Sequence, residues 1–179
     1  AAEARYVADV IEERRRAEER SRLLAQTDAL TGCLNRRSII EQAASLAQAG
    51  TASGQAIAVA MLDLDNFKRI NDLYSHLAGD VLLRATADRL RLVLPAEALI
   101  ARMGGDEFAC VVPFDPASAA TLDERIARVI DVVRQPVLFE SSAFETTVSV
   151  GLARSDRNGD DIARLLHMAD IAMYSAKRR

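Results

Sequence analysis

The chain has 179 residues, 50% of them apolar and 27% charged, with a formal net charge of −3. That profile suits one well-packed globular domain with room for an extra element, and it excludes a disordered tail. It also offers no overall basic field for nucleic acid, so no nucleic-acid partner is expected.

Residues 3 to 26 contain no glycine or proline and are rich in helix formers. Val7, Val10, Arg14, Ala17, Ser21 and Leu24 recur at intervals of three and four. This is a coiled-coil rhythm with a poorly filled seam, so residues 1–26 read as a helical stalk, either dimerising or simply connecting. The alternating charges of "EERRRAEERSR" within it read as a solvated helix face. Thr27 is placed to cap a helix, and Asp28 to Arg36 reads as a turn. Ser38 to Ala49 is expected to be an amphipathic helix ended by the loop "GTASGQ". "AIAVAMLDLD" is expected to be a buried strand whose acidic end opens into a site.

"NFKRINDLYSHLAGD" reads as polar and turn-rich, and "DVLLRATADRLRLVL" as an amphipathic helix closed by Pro95. "ALIARMGGDEFACVVPF" predicts a hairpin with a Gly-Gly turn. A helix from about Ala117 to Arg134, a strand in "FETTVSVGLAR" and a helix from Asp161 to Lys177 complete the chain. The fold class is therefore α/β, with helices packed on a mixed central sheet. Cys33 and Cys110 lie far apart and form no CxxC pair, which points to free thiols in a reducing, cytoplasmic setting. No apolar run approaches a membrane span and no signal peptide is visible. The chain begins without methionine inside a helical pattern, so it reads as a piece of a longer protein that is itself free to be membrane-attached.

Chemistry concentrates in a few acidic positions. Asp63 and Asp65 are two apart in a strand and should project from one face, at a strand end where unpaired carboxylates need a metal, a basic partner or solvent. Asp106 and Glu107 follow Gly104 and Gly105 at the hairpin tip and should point to opposite faces. Neighbouring central strands would bring Asp63 and Asp106 face to face, and oxygen ligands suit Mg²⁺, or Mn²⁺ in its place, far better than zinc. The paired glycines let backbone N–H groups approach an anion, and Lys68 can neutralise phosphate charge. Asn71 and Asp80 either cap helices or together read the edge of a base such as guanine.

With these residues assembled, the chain resembles the GGDEF domain of bacterial diguanylate cyclases. The signature stands as Gly104-Gly105-Asp106-Glu107-Phe108, and "DALTGCLNRR", "DLDNFKRIND", "HLAGD" and "ADIAMYSAK" fit in order and spacing. Cys33 stands where a leucine is usual, and Ser75 where a glycine is usual. The resemblance covers residues 27–179 and implies a palm-like nucleotidyl cyclase fold. It implies a reaction that joins two GTP into cyclic di-GMP across a homodimer, releasing two pyrophosphates. Carried over, Asp63, Leu64 through its carbonyl, Asp106 and Glu107 would hold two metal ions, with Glu107 alternatively helping to deprotonate the attacking hydroxyl. Asn71 and Asp80 would read guanine, and Lys68 and Lys177 would contact phosphate. The product-inhibition site of the family, Arg-x-x-Asp, is replaced by Pro95-Ala96-Glu97-Ala98, so none is expected. The Gly-Arg-Asn that normally follows Lys177 is absent from the two remaining residues. An upstream sensory domain and a downstream phosphodiesterase domain are the expected companions in the full-length protein. The alternative function is a GTP-binding regulatory domain of weak or no activity.

Overall fold

The computed structural model describes residues 2–178, so the expected domain limits at residues 1 and 179 lie outside the described residues. A single helix, α1 (Ala2–Gln26), precedes α2 (Arg36–Ser53), β1 (Ala56–Leu64), α3 (Phe67–Leu73) and α4 (His76–Val93). The hairpin β2 (Leu99–Gly104) and β3 (Glu107–Phe114) follows, then α5 (Ala119–Val133) and a small hairpin of β4 (Val137–Phe139) and β5 (Ser142–Phe144). The chain closes with β6 (Val148–Arg154), the short α6 (Ser155–Asn158) and α7 (Ile162–Lys177).

The main sheet has the order β2-β3-β1-β6, and each neighbouring pair is antiparallel. The strands of the sheet expected to be mixed are thus all antiparallel, and the parallel contact is an isolated bridge from Leu34 to Ala101, with Leu34 outside any strand. All nine residues of β1 are buried because helices cover both faces of the strand. Alternation assigns its side chains to two cores. Ala60, Leu62 and Leu64 pack with Leu82, Leu83 and Leu90 of α4 and Val129 and Val133 of α5. Ile57, Val59 and Met61 pack with Ile39 and Ala43 of α2 and Leu165, Ala169 and Met173 of α7. Asp63 continues the second series and therefore faces α7. That helix crosses β6 so closely at Gly151 that a Cβ there would meet the backbone of Ala169 and Met173. The position of the last turn of α7 above Asp63 is thus set by packing.

Several boundaries differ from the sequence reading. The helix α2 runs through "GTAS" and ends at Gly54, whose left-handed backbone (φ 76°) supplies the cap. The segment read as turn-rich contains α3 and the first turn of α4. Ser75 caps α4 by accepting a hydrogen bond from the Ala78 N–H at 3.2 Å, and its φ of 167° is extended backbone that needs no glycine. A 3₁₀ turn at Pro116–Ser118 precedes α5. "FETTVSVGLAR" divides between β5 and β6, and between them the Thr146 and Thr147 hydroxyls donate to Asp65. The β4–β5 hairpin went unread, and Pro95 to Ala98 forms a turn closed by the Ala98 N–H to the Pro95 carbonyl.

Along α1, Arg14, Arg15 and Arg16 pair with Glu12, Glu18 and Glu19 on the exposed surface, the solvated face that the charge pattern implied. Cys33 and Cys110 are both free and buried. Leu34 is level with Ala101 and Ile100 with Cys110, so β2 lies between the two thiols. Two strand spacings amount to about 9–10 Å, too far for a disulfide. No described helix is long and apolar enough to cross a membrane.

Candidate active site

The site forms where β1 and β3 end beneath α7. Asp63 is directly opposite Glu107 in the β1–β3 ladder, so these two carboxylates share the face that looks onto α7. This corrects the expected pairing of Asp63 with Asp106. Asp106 sits in the two-residue turn before β3, and its carbonyl accepts a hydrogen bond from the Leu64 N–H at 3.2 Å. Gly104 (φ 144°) and Gly105 (φ 51°) hold conformations that side chains with a Cβ rarely adopt, which is why the turn carries glycine twice.

Asp63 is only 7% exposed, and its Oδ1 accepts a charge-assisted bond from Lys177 Nζ at 2.6 Å. That bond raises the proton affinity of the Lys177 ammonium above its ordinary value. Burial, then the charge of Asp63, pushes the Asp106 carboxyl above the usual range. Burial, then Asp63, Asp170 and Asp106, does the same for Glu107. The crowding of carboxylates therefore calls for positive charge, and Lys177 supplies part of it. Asp65 lies just past β1, near enough for its charge to act on Lys177, and its oxygens accept bonds from Thr147 Oγ1 at 2.6 Å and Ser149 Oγ at 2.8 Å.

A cleft of about 480 Å³ opens on this cluster, lined by Asp63, Glu107, Asp170, Tyr174, Ser175 and Lys177 among others. Asp170 was missed as a site residue in the sequence, although it lies seven residues before Lys177 and so shares its helix face. No cluster of three or more His, Cys, Asp or Glu side chains arranged to hold a metal occurs among the described residues. The donor chemistry nonetheless fits Mg²⁺, which takes one or two carboxylates and completes its shell with water and substrate phosphate.

Lys68, Asn71 and Asp80 form a second group on α3 and α4. Lys68 is exposed and belongs to no ion pair among the described residues. Asn71 and Asp80 lie inside their helices, so neither has the capping role that the sequence allowed. Asn71 Oδ1 is buried and has no hydrogen-bond partner. It lies against Gly79, where a Cβ would collide with it and would also come within 3.1 Å of the Phe67 ring. A buried acceptor without a partner costs about 1–3 kcal/mol.

The family model for "Diguanylate cyclase, GGDEF domain" matches residues 25–179. The chain belongs to the GGDEF family. The GGDEF chain is 39% identical to the cyclic di-GMP phosphodiesterase PdeR of Escherichia coli over 93% of its own length and 25% of that protein. A crystal structure of a sensory box/GGDEF family protein from Caulobacter crescentus is 38% identical, with a TM-score of 0.81, covering 86% of this chain and 98% of that one. The coiled coil and GGDEF domain of DgcB from Caulobacter crescentus, solved with c-di-GMP, gives a TM-score of 0.85 at 28% identity and covers 98% of this chain and 94% of that one. The GGDEF chain spans about a quarter or less of the first curated relatives it matches.

Proposed function

We propose that this chain is a diguanylate cyclase that condenses two GTP into cyclic di-GMP, with each of two subunits presenting one nucleotide across a symmetric dimer. The observation that carries the reading is the buried, unpartnered side-chain oxygen of Asn71, packed against Gly79, the residue before the carboxylate-bearing Asp80. The N1–H and N2–H₂ groups of guanine supply the donors that an amide oxygen and a carboxylate lack. Adenine presents no donor pair of that kind.

In this reading Asn71 and Asp80 fix the base, while Lys68 and the Gly104–Gly105 backbone steady the triphosphate. Lys177 moves from Asp63 to phosphate as the nucleotide enters. Asp63, Asp106, Glu107 and the Leu64 carbonyl are the groups that would hold Mg²⁺, or Mn²⁺, which when bound would neutralise the phosphates and the departing pyrophosphate. The 3′-hydroxyl oxygen of one GTP forms a bond to the α-phosphorus of the other as the bond to pyrophosphate breaks. Glu107, with its raised proton affinity, accepts the hydroxyl proton or joins the metal-holding set. Two such events close the ring. The exposed Val7, Val10 and Leu24 on α1 suit a stalk that brings two copies together. Pro95 and Ala98 supply neither the guanidinium nor the carboxylate of the family's inhibitory site, so product is expected to inhibit only by competing with GTP.

Purified chain incubated with GTP and Mg²⁺ is expected to yield cyclic di-GMP and pyrophosphate on chromatography. The second reading, a GTP-binding regulatory domain, draws on the likeness to a phosphodiesterase. Bound but unconverted GTP would favour it. Asp80→Ser is expected to reduce discrimination against ATP by roughly 10-fold or more, because the acceptor for two guanine donors is lost. Competition between GTP and ATP measures this, and an unchanged preference would remove Asp80 from base recognition.

A further inference from the structure

We propose that Arg102 is a positioning residue that ties the catalytic turn to the foot of the stalk. Arg102 Nε and Nη2 both donate to the Gly105 carbonyl, at 3.0 and 2.8 Å. That carbonyl belongs to the peptide plane joining Gly105 to Asp106, so the fork fixes the plane from which the Asp106 side chain departs. A glycine turn has little rigidity of its own, and this clamp supplies it from outside.

The third guanidinium group, Nη1, donates to Asp28 Oδ1 at 3.1 Å, two residues beyond α1. The pair is mostly buried, with side chains 18% and 21% exposed. Asp28 is itself held, because its other oxygen accepts bonds from the Thr31 N–H at 2.9 Å and Thr31 Oγ1 at 2.8 Å. The same segment grips the last turn of α1. Asn35 Nδ2 donates to the Ala25 carbonyl at 2.8 Å, and the Asn35 N–H to the Gln26 carbonyl at 2.9 Å. Leu34 bonds β2 from both sides, donating to the Ile100 carbonyl at 3.0 Å and accepting from the Arg102 N–H at 2.9 Å. A continuous series of hydrogen bonds thus runs from the end of the stalk to the peptide beside Asp106. A displacement of the stalk foot moves Asp28, and Arg102 carries that displacement to the turn.

The catalytic consequence rests on the cyclase reading, but the mechanical one does not, and the experiment separates them. Hydrogen exchange of the nucleotide-free chain is compared for wild type, Asp28→Asn, Arg102→Lys and the double variant. Lysine keeps the charge but lacks the fork, and asparagine is nearly isosteric, so thermal midpoints within a few degrees of wild type are expected. Exchange at residues 104–107 should rise about tenfold or more in each single variant, with α7 and β6 unchanged. The double variant should exchange no faster than the more affected single variant, because the two residues act as one unit. With GTP, kcat should fall about 10- to 100-fold while KM changes less than about threefold. Unchanged exchange at 104–107, or additive effects in the double variant, would overturn the proposal. A wild type that makes no cyclic di-GMP while the exchange pattern holds would overturn the cyclase reading and leave the positioning role in place.

Discussion

Asp106→Ala is expected to leave a folded chain whose formation of cyclic di-GMP falls by at least about 10²- to 10³-fold, the usual scale for losing a group that meets transition-state charge. The structure explains why the fold should tolerate the change. Asp106 anchors the turn through its backbone carbonyl, which alanine retains, and its side chain is only half-buried. Its carboxyl lies above the ordinary range because of burial first and Asp63 second, so ionising it opposes folding near neutral pH. The sign follows directly. A raised carboxyl favours the folded state below its ordinary range, and that advantage disappears as pH rises through the folded value. At neutral pH the variant should therefore melt at or slightly above the wild-type temperature. Added Mg²⁺ should raise the midpoint of wild type and not of the variant, a readout independent of turnover. Near-normal product from folded Asp106→Ala would remove this residue from the catalytic set.

The strand carrying Asp63 and the hairpin carrying Asp106 were legible because both features are local. An apolar run ending in acids reads as a buried strand, and paired glycines between apolar runs read as a tight turn. Registry was not legible. Whether Asp63 faces Asp106 or Glu107 depends on where the turn falls, and a shift of one residue exchanges the two faces. The β1–β3 register places Glu107 opposite Asp63, and the hairpin, irregular between Arg102 and Gly104, leaves Asp106 in the turn. Asp170 escaped notice because an acidic residue on an amphipathic helix ordinarily faces solvent, and only the packing of α7 over β6 turns it toward the cleft. Arg102 escaped for a related reason. Its partners are a carbonyl three residues on and an aspartate 74 positions earlier, a conjunction no local pattern encodes. The Asn71–Gly79 contact was half-visible: both residues lay in recognised motifs, but their dependence on each other is steric and appears only when α3 and α4 are packed.

That steric dependence gives the second large effect. Gly79 lies within α4 at ordinary helical backbone angles, so alanine there meets no conformational obstacle and improves helix propensity by about 1 kcal/mol. The new methyl would nevertheless occupy the space of the Asn71 amide and sit tightly against the Phe67 ring, 3.1 Å away. Asn71 is the flexible partner and would yield by rotating away. Rotation would also let its buried oxygen reach solvent, relieving the missing hydrogen bond. Gly79→Ala should therefore be as stable as wild type or more so, yet bind GTP about 10- to 100-fold more weakly, since the amide no longer meets the base. Asn71→Ala should lose affinity to a similar degree, and adding it to Gly79→Ala should cost little more, because both changes empty the same position. Calorimetric titration with GTP, together with thermal melts of the three variants, tests this directly. Gly79→Ala binding GTP as tightly as wild type would mean that Asn71 does not touch the nucleotide, and the guanine assignment would then rest on Asp80 alone.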